Sequence, residues 1–196
     1  MDHHATTPTD PRVVEAMQPF FTKTFGNPAS RHHAFGWAAR DAVEKARKQV
    51  SRLVGCNPRE VVFTSGATES DNIALTGIVE AYANKGDHII VSAIEHKAIL
   101  DTAEYLAARG IRTTVIPVDH YGLVNPDDVA NAIGDRTILV SVMFANNEIG
   151  TIEPITEIGK IAHEHDVFFH TDAAQAVGHV PVNVEAMNID LMSISG

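Results

Sequence analysis

The stretch Thr137-Ile138-Leu139-Val140-Ser141-Val142, followed by Ile155–Glu164 and then by Val167-Phe168-Phe169-His170, decides the fold. The outer segments are short apolar runs rich in β-branched residues, whereas the middle one spaces its apolar residues at helical intervals. Two buried strands joined by a helix make a βαβ unit, in which the strands run parallel. The same alternation extends in both directions. Further strands are expected at Glu60–Thr64, His88–Val91, Arg112–Pro117 and Ile189–Ser193, and helices at Ala67–Tyr82, Lys97–Ala108 and Pro126–Ile133. Two more helices, near Pro11–Thr22 and Ala34–Val54, precede the first expected strand. The fold class is therefore α/β, with a mostly parallel sheet covered on both faces.

Punctuation supports these boundaries. Gly55 with Asn57-Pro58 closes the long second helix, Lys85-Gly86-Asp87 closes the next, and Gly110 and Gly134 stand where left-handed caps belong. There is no internal repeat, low-complexity tract or linker. The early segment, up to about Asn27-Pro28, reads as an arm or strap, with residues 1–14 as the arm and 15–196 as the main domain.

Composition bounds the function. Of 196 residues, 44% are hydrophobic, enough for a core. Twenty-five Asp and Glu against 15 Lys and Arg give a net charge of −10. That balance disfavours nucleic acid or an anionic membrane as the main partner, but a local nest of backbone N–H groups still binds a small anion. The single cysteine, Cys56, excludes an intrachain disulfide and fits a reducing cytoplasm. Residues 1–12 lack the apolar core of a signal peptide, and no apolar run approaches the ~20 residues needed to span a bilayer.

Ligands of open parallel sheets sit beyond the carboxyl ends of the strands. After Glu60–Thr64 comes Ser65-Gly66-Ala67-Thr68-Glu69-Ser70, which offers a glycine, a hydroxyl and a helix start. It reads either as a phosphate cradle or as an ordinary helix start with a capping box from Thr68 to Asp71. No Walker or G-x-G-x-x-G motif occurs. After His88–Val91, His96 stands between strand and helix, suited to act as acid, base or flat stacking surface, or simply as a satisfied loop residue. After Thr137–Val142, Asn146-Asn147-Glu148-Ile149-Gly150 offers either groups that orient a polar ligand or an ordinary turn. After Val167–His170, Asp172 closes an apolar strand between alanines. Its carboxylate is costly to bury unpaired and calls for a cation, a metal or a protonated heterocycle nitrogen. The final strand ends in Ser193-Ile194-Ser195-Gly196.

In combination these segments resemble the cysteine desulfurases. The resemblance rests on Asp2-His3-His4-Ala5-Thr6-Thr7-Pro8, Gly26-Asn27-Pro28-Ala29-Ser30-Arg31-His32 and Thr64-Ser65-Gly66-Ala67-Thr68-Glu69-Ser70. It continues through Glu95-His96-Lys97, Asn146-Asn147-Glu148-Ile149-Gly150-Thr151, Asp172-Ala173-Ala174-Gln175 and Ser193-Ile194-Ser195-Gly196. The branch it favours is the one serving iron–sulfur cluster assembly and nitrogen fixation, within the class-V aminotransferase family. It implies the large domain of the three-layer, aspartate-aminotransferase-like fold and the cofactor pyridoxal 5′-phosphate. By the same resemblance Ala67 and Thr68 hold the cofactor's phosphate with help from Ser195. His96 stacks on the ring and assists proton transfer, as the catalytic residue. Asp172 pairs with the ring nitrogen, Gln175 with the phenolic oxygen, and Asn147 contacts cofactor and substrate carboxylate. The implied reaction converts L-cysteine to L-alanine and an enzyme persulfide for a scaffold protein or other sulfur acceptor, in a homodimer.

In the family, the last strand is followed by Ser-Gly-His-Lys, whose lysine forms the Schiff base, and the persulfide cysteine lies far downstream. This sequence runs to Gly196. It is expected to be the N-terminal, cofactor-binding part, with an incomplete large domain and no small domain, and to be inactive alone. Lys97 and Lys160 fall on expected helices, and Cys56 reads as a structural or incidental thiol. Other readings stay open: a metal-dependent hydrolase built from His3-His4, His32-His33, His163-x-His165 or His170-x-Asp172; a catalytically silent binding or scaffold module; or a selenocysteine lyase.

Overall fold

The computed structural model describes residues 7–196. The motif Asp2-His3-His4-Ala5-Thr6, and with it part of the expected arm, lies outside the described residues. The chain divides into two compact units, Met1–Val62 and Phe63–Gly196.

In the first unit, Asp10 accepts the N–H of Arg12 at 2.8 Å and Pro11 opens helix α1 (Pro11–Thr22). Proline fits here because its missing N–H is one that the helix start leaves unpaired. Helix α2 (Ala34–Val54) starts at His33, whose Nδ1 accepts from the Gly36 N–H at 3.2 Å, and ends at Gly55 in the left-handed conformation (φ 78°). Asn57 and Glu60 then form a reciprocal capping box around a 3₁₀ turn, Pro58–Glu60.

That turn occupies the start of the strand expected at Glu60–Thr64, and no strand forms there. Val62 and Phe63 are 73% and 51% exposed. Their residue types favour a strand, but a strand needs a neighbour for its N–H and C=O groups, and none of the described strands pairs with 61–64.

The second unit holds a five-stranded, all-parallel sheet: β1 (His88–Ser92), β2 (Arg112–Ile116), β3 (Thr137–Ser141), β4 (Phe168–Asp172) and β5 (Leu191–Ser193), in the order β2-β1-β3-β4-β5. Asp172, expected just beyond its strand, is the last residue of β4 and pairs in register with Ser193. Helices α3 (Ala67–Ala81), α4 (Lys97–Ala107), α5 (Pro126–Ala132) and α6 (Ile155–Glu164) fall within a residue or so of their expected positions. Side chains alternate across the sheet. Ile89 and Val91 therefore join Leu75, Ile78, Ile99 and Leu106 of α3 and α4 in one core. Ile90 and Val140 join Val129, Ile155, Ile158 and Ala162 of α5 and α6 in the other. The unit has the three-layer architecture, and the carboxyl ends of its strands share one edge. Among the described residues no helix is long and apolar enough to cross a membrane.

Candidate functional site

Helix α3 begins at Gly66 without any side-chain cap, so the capping box that Thr68 and Asp71 offered is not formed. Its first intrahelical bond runs from the Ser70 N–H to the Gly66 carbonyl at 3.1 Å. The N–H groups of Ala67, Thr68 and Glu69 precede that bond and lie at the positive end of the helix dipole. A β-carbon added at Gly66 would meet nothing within 4 Å, and the Glu69 carboxylate folds back to accept the Ser65 N–H at 2.5 Å. Thr64 braces the entry by donating to the Gly66 carbonyl at 2.9 Å.

Asp172 stands at the end of β4, 6% exposed. Its Oδ1 accepts from the Ala174 N–H at 2.9 Å, and the strand end is held by backbone bonds from Phe144 N–H to Asp172 and from Ala173 N–H to Ser193. Burial pushes the carboxyl above the usual carboxylate range; the Ala174 bond and the nearby His96 oppose this. Among the described residues no Lys or Arg forms an ion pair with Asp172. A carboxylate so placed is stabilised by a cation on its open side.

His96 is the N-cap of α4, exposed, with Nδ1 accepting the Ala98 N–H at 3.1 Å. Because Nδ1 accepts, the proton of the neutral ring sits on Nε2, the nitrogen left for a ligand. Asn146 and Asn147 divide their labour. Buried Asn146 accepts the N–H groups of Glu148 and Ile149 and donates to the Ile94 carbonyl, shaping a turn that Gly150 closes (φ 74°). Half-buried Asn147 is the one partly open to solvent. Gln175 is half-buried in the turn after β4, and Ser195 is exposed two residues past β5. Asp172 ends β4 and Ser195 lies just past β5, His96, Asn147 and Gln175 lie in the segments that follow β1, β3 and β4, and Ala67 and Thr68 open α3, whose Ser70 meets Ser193 at the end of β5.

Sequence reading assigned no role to several buried polar groups beneath this edge. Glu95 is buried, with Oε1 accepting from Ser92 Oγ at 2.6 Å and Met143 N–H at 2.7 Å and Oε2 unpartnered. It ties the end of β1 to the segment after β3 and so fixes the loop that presents His96. Asp71 is fully buried on α3 with neither oxygen hydrogen-bonded. His170 is fully buried and shares its face of β4 with Asp172, as residues two apart must. The i, i+2 spacing of His170 and Asp172 was the available signal, read above as a metal pair. His163 and His165 are exposed at the end of α6, and no group of three or more His, Cys, Asp or Glu among the described residues is arranged to hold a metal.

Burial raises Glu95 to about 8 and Asp71 to about 7, with Asp172 adding repulsion to each, and it lowers His170 to about 3. The two carboxyls bind protons more tightly folded than unfolded, so their contribution is full below about pH 4 and is lost as pH rises towards 7 and 8. His170 works the other way, its contribution being present above about pH 6.5 and lost as pH falls towards 3. Between pH 6.5 and 8 only the carboxyls still change. Urea midpoints of the chain are expected to fall from pH 6.5 to 8, and Glu95→Gln is expected to flatten that fall. An unchanged slope in Glu95→Gln would remove Glu95 from the explanation.

The aminotransferase class-V family model matches residues 1–196. Over 196 residues the chain is 54% identical to cysteine desulfurase IscS of Rickettsia rickettsii (strain Iowa) and 53% identical to that of Rickettsia typhi (strain ATCC VR-144 / Wilmington), covering 100% of this chain and 48% of each relative. Among solved structures, SspA in complex with cysteine superposes with a TM-score of 0.96 at 39% identity, covering 100% of this chain and 56% of that one. A NifS-like protein from Rickettsia africae ESF-5 superposes with a TM-score of 0.88 at 34% identity, covering 100% and 53%. The chain spans about half the length of the curated relatives it matches.

Proposed function

The chain belongs to the aminotransferase class-V family, and from that premise we propose that it supplies the cofactor-binding part of a pyridoxal-phosphate-dependent cysteine desulfurase. The observation that carries this reading is Asp172: a buried carboxylate without a basic side-chain ion pair, on the same sheet edge as a helix N-terminus whose cap residue Gly66 makes no side-chain hydrogen bond. One end of such a site suits a protonated ring nitrogen and the other a phosphate. When bound, the cofactor supplies an electron sink for carbanion chemistry at a substrate amino acid.

The chain's own residues then have distinct tasks. Ala67 and Thr68, with Ser195, would hold the phosphate, the first two through the N–H groups of α3 that no side chain caps. Asp172 would pair with the ring nitrogen and favour its protonated form, because its buried carboxylate is stabilised by positive charge opposite it. His96 would pack on the ring, with Nε2 the nitrogen free to hold or pass a proton because Nδ1 is held by the Ala98 N–H. Gln175 meets the ring's phenolic oxygen and Asn147 orients the substrate carboxylate, while Asn146 maintains the turn that carries it. Covalent and sulfur-accepting steps are not assigned to this site. Lys97 and Lys160 are exposed on helices and paired with Asp101 and Glu164. Cys56 lies in the first unit, where burial first and Glu60 second raise its thiol, so it is not poised as a thiolate. L-Cysteine as substrate, a homodimer, a scaffold protein or other sulfur acceptor and a cytoplasmic setting complete the proposal. SspA, a structural relative, is itself described in complex with cysteine.

Titration of the chain with pyridoxal phosphate, followed by the cofactor's visible absorption, is expected to show saturable binding. The protein carrying the chain is then expected to release alanine from L-cysteine. Absence of saturable binding would end the proposal.

A further inference from the structure

Resting on the cofactor reading above, we propose that Ser193 and His170 are positioning residues for the anion end of the site. With buried Ser141 and half-buried Ser70 they form a relay that locks the first turn of α3 to the end of β5, and so set the phosphate-binding groups before a ligand arrives.

The relay crosses the sheet beneath the site. Ser141 Oγ on β3 lies 2.9 Å from His170 Nδ1 on β4. His170 Nε2 lies 3.2 Å from Ser193 Oγ on β5, and Ser193 Oγ lies 2.8 Å from Ser70 Oγ on α3. Its direction follows from a neighbour. Asp71 Oδ1 stands 3.7 Å from His170 Nε2, and neither oxygen of Asp71 reaches hydrogen-bond distance, although Ser193 is near enough to pull its carboxyl downward against burial. A lone pair on Nε2 would face that carboxyl oxygen, so the ring proton belongs on Nε2 and Nδ1 accepts from Ser141. Ser193 then accepts from His170 and donates to Ser70. The ring stays neutral because it is fully buried.

The placement links the relay to the anion. Ser70 is the fourth residue of α3, one turn from Ala67, and Ser193 is the last residue of β5, two before Ser195. The groups proposed to hold the phosphate come from two elements far apart in sequence, and the Ser70–Ser193 bond joins those elements beside the site. Anion sites draw their strength from donors fixed in advance, so a cup whose halves can separate binds less tightly. The alternative is that these hydroxyls merely satisfy one another in the core. In that case their loss weakens the fold without discriminating between ligands.

The test compares affinity of the full chain for pyridoxal phosphate with that for pyridoxal, the same ring without the phosphate, with thermal melts run in parallel. Ser193→Ala is expected to weaken pyridoxal phosphate about tenfold, equivalent to ~1.4 kcal/mol, and to leave pyridoxal unchanged. Ser70→Ala, at the outer end of the relay, should behave alike and decides the matter if Ser193→Ala does not fold. His170→Gln, which keeps an N–H near the Nε2 position, should retain the phosphate preference, and His170→Leu should lose it. An unaltered preference in the serine variants, or an equal loss for both ligands, overturns the proposal. A wild-type chain that binds both ligands alike refutes the anion site at α3 itself, and the relay's role falls with it.

Discussion

Asp172→Asn is expected to lower cysteine turnover by about 10²–10³-fold in the protein that carries this chain, an effect of the size seen when one preorganised electrostatic partner is removed. The side chain keeps its shape and its amide oxygen can still accept the Ala174 N–H that now reaches Oδ1 at 2.9 Å. What disappears is negative charge at a buried position. In the proposed role an amide would offer no charge to hold a proton on the ring nitrogen, so the cofactor's capacity to draw electrons would fall while its phosphate contacts would remain. Affinity for the phosphorylated cofactor should therefore drop much less than turnover. The measurement is alanine release from L-cysteine beside a binding titration. Turnover within a few fold of wild type would remove Asp172 from the proposed role. Asp172→Asn should also relieve the repulsion that Asp172 exerts on Asp71 and Glu95, both of which sense its charge. Their folded-state pKa should then fall towards the ordinary carboxylate range, so the loss of stability with rising pH should be smaller and should end at a lower pH.

Gly159→Ala is expected to cost about 3 kcal/mol of stability or more, although alanine is normally the better residue inside a helix. A β-carbon at Gly159 would stand 2.2 Å from the backbone carbonyl oxygen of Met187 and 3.1 Å from both the Asn188 carbonyl oxygen and a ring carbon of Phe169. Neither backbone atom can move without shifting the 183–190 turn, whose Asn188 already occupies the left-handed region (φ 53°) and whose Asp190 carboxylate accepts from the Phe169 N–H. Gly77→Ala is the matched control. Gly77 is exposed on α3 with nothing within 4 Å of an added β-carbon, so the change should stabilise by about 0.5–1 kcal/mol. Urea denaturation of both variants gives the comparison directly. Equal behaviour of the two would mean that helix α6 and the turn separate readily.

What the sequence made legible follows the strength of each local signal. His88–Ser92, Thr137–Ser141 and Phe168–Asp172 are flanked by helices with clear apolar spacing and lie in the middle of the sheet, so burial and pattern agree. Val61–Thr64 carries the same residue types, yet whether it becomes a strand depends on a neighbour, which no local pattern contains. At the site, Asp172 was readable because a carboxylate closing an apolar strand has few neutral explanations. Asp71 and Ser70 were not, since on a helix whose register against the sheet is unknown they look like any solvated face. Glu95 sat in a quoted motif beside His96, but only the folded chain shows it reaching Ser92 and the Met143 N–H. His170 was noticed for its spacing, with a metal pair as one open alternative beside the cofactor reading. A histidine two residues before an aspartate on a strand suits a metal equally well until its other neighbours prove to be serines.

The bond between Ser70 and Ser193 also has a temporal side, because the two residues are 123 positions apart. Helices and adjacent parallel strands can form early from contacts closer in sequence, whereas closing a loop of this size is entropically slow to reward. Among the described strands β5 follows the other four in sequence and pairs with β4, which can form against β3 beforehand. The chain therefore acquires most of its core before it acquires a grip on an anion. A folding intermediate lacking β5 would be compact and yet indifferent to ligand, and ligand would stabilise only the final step.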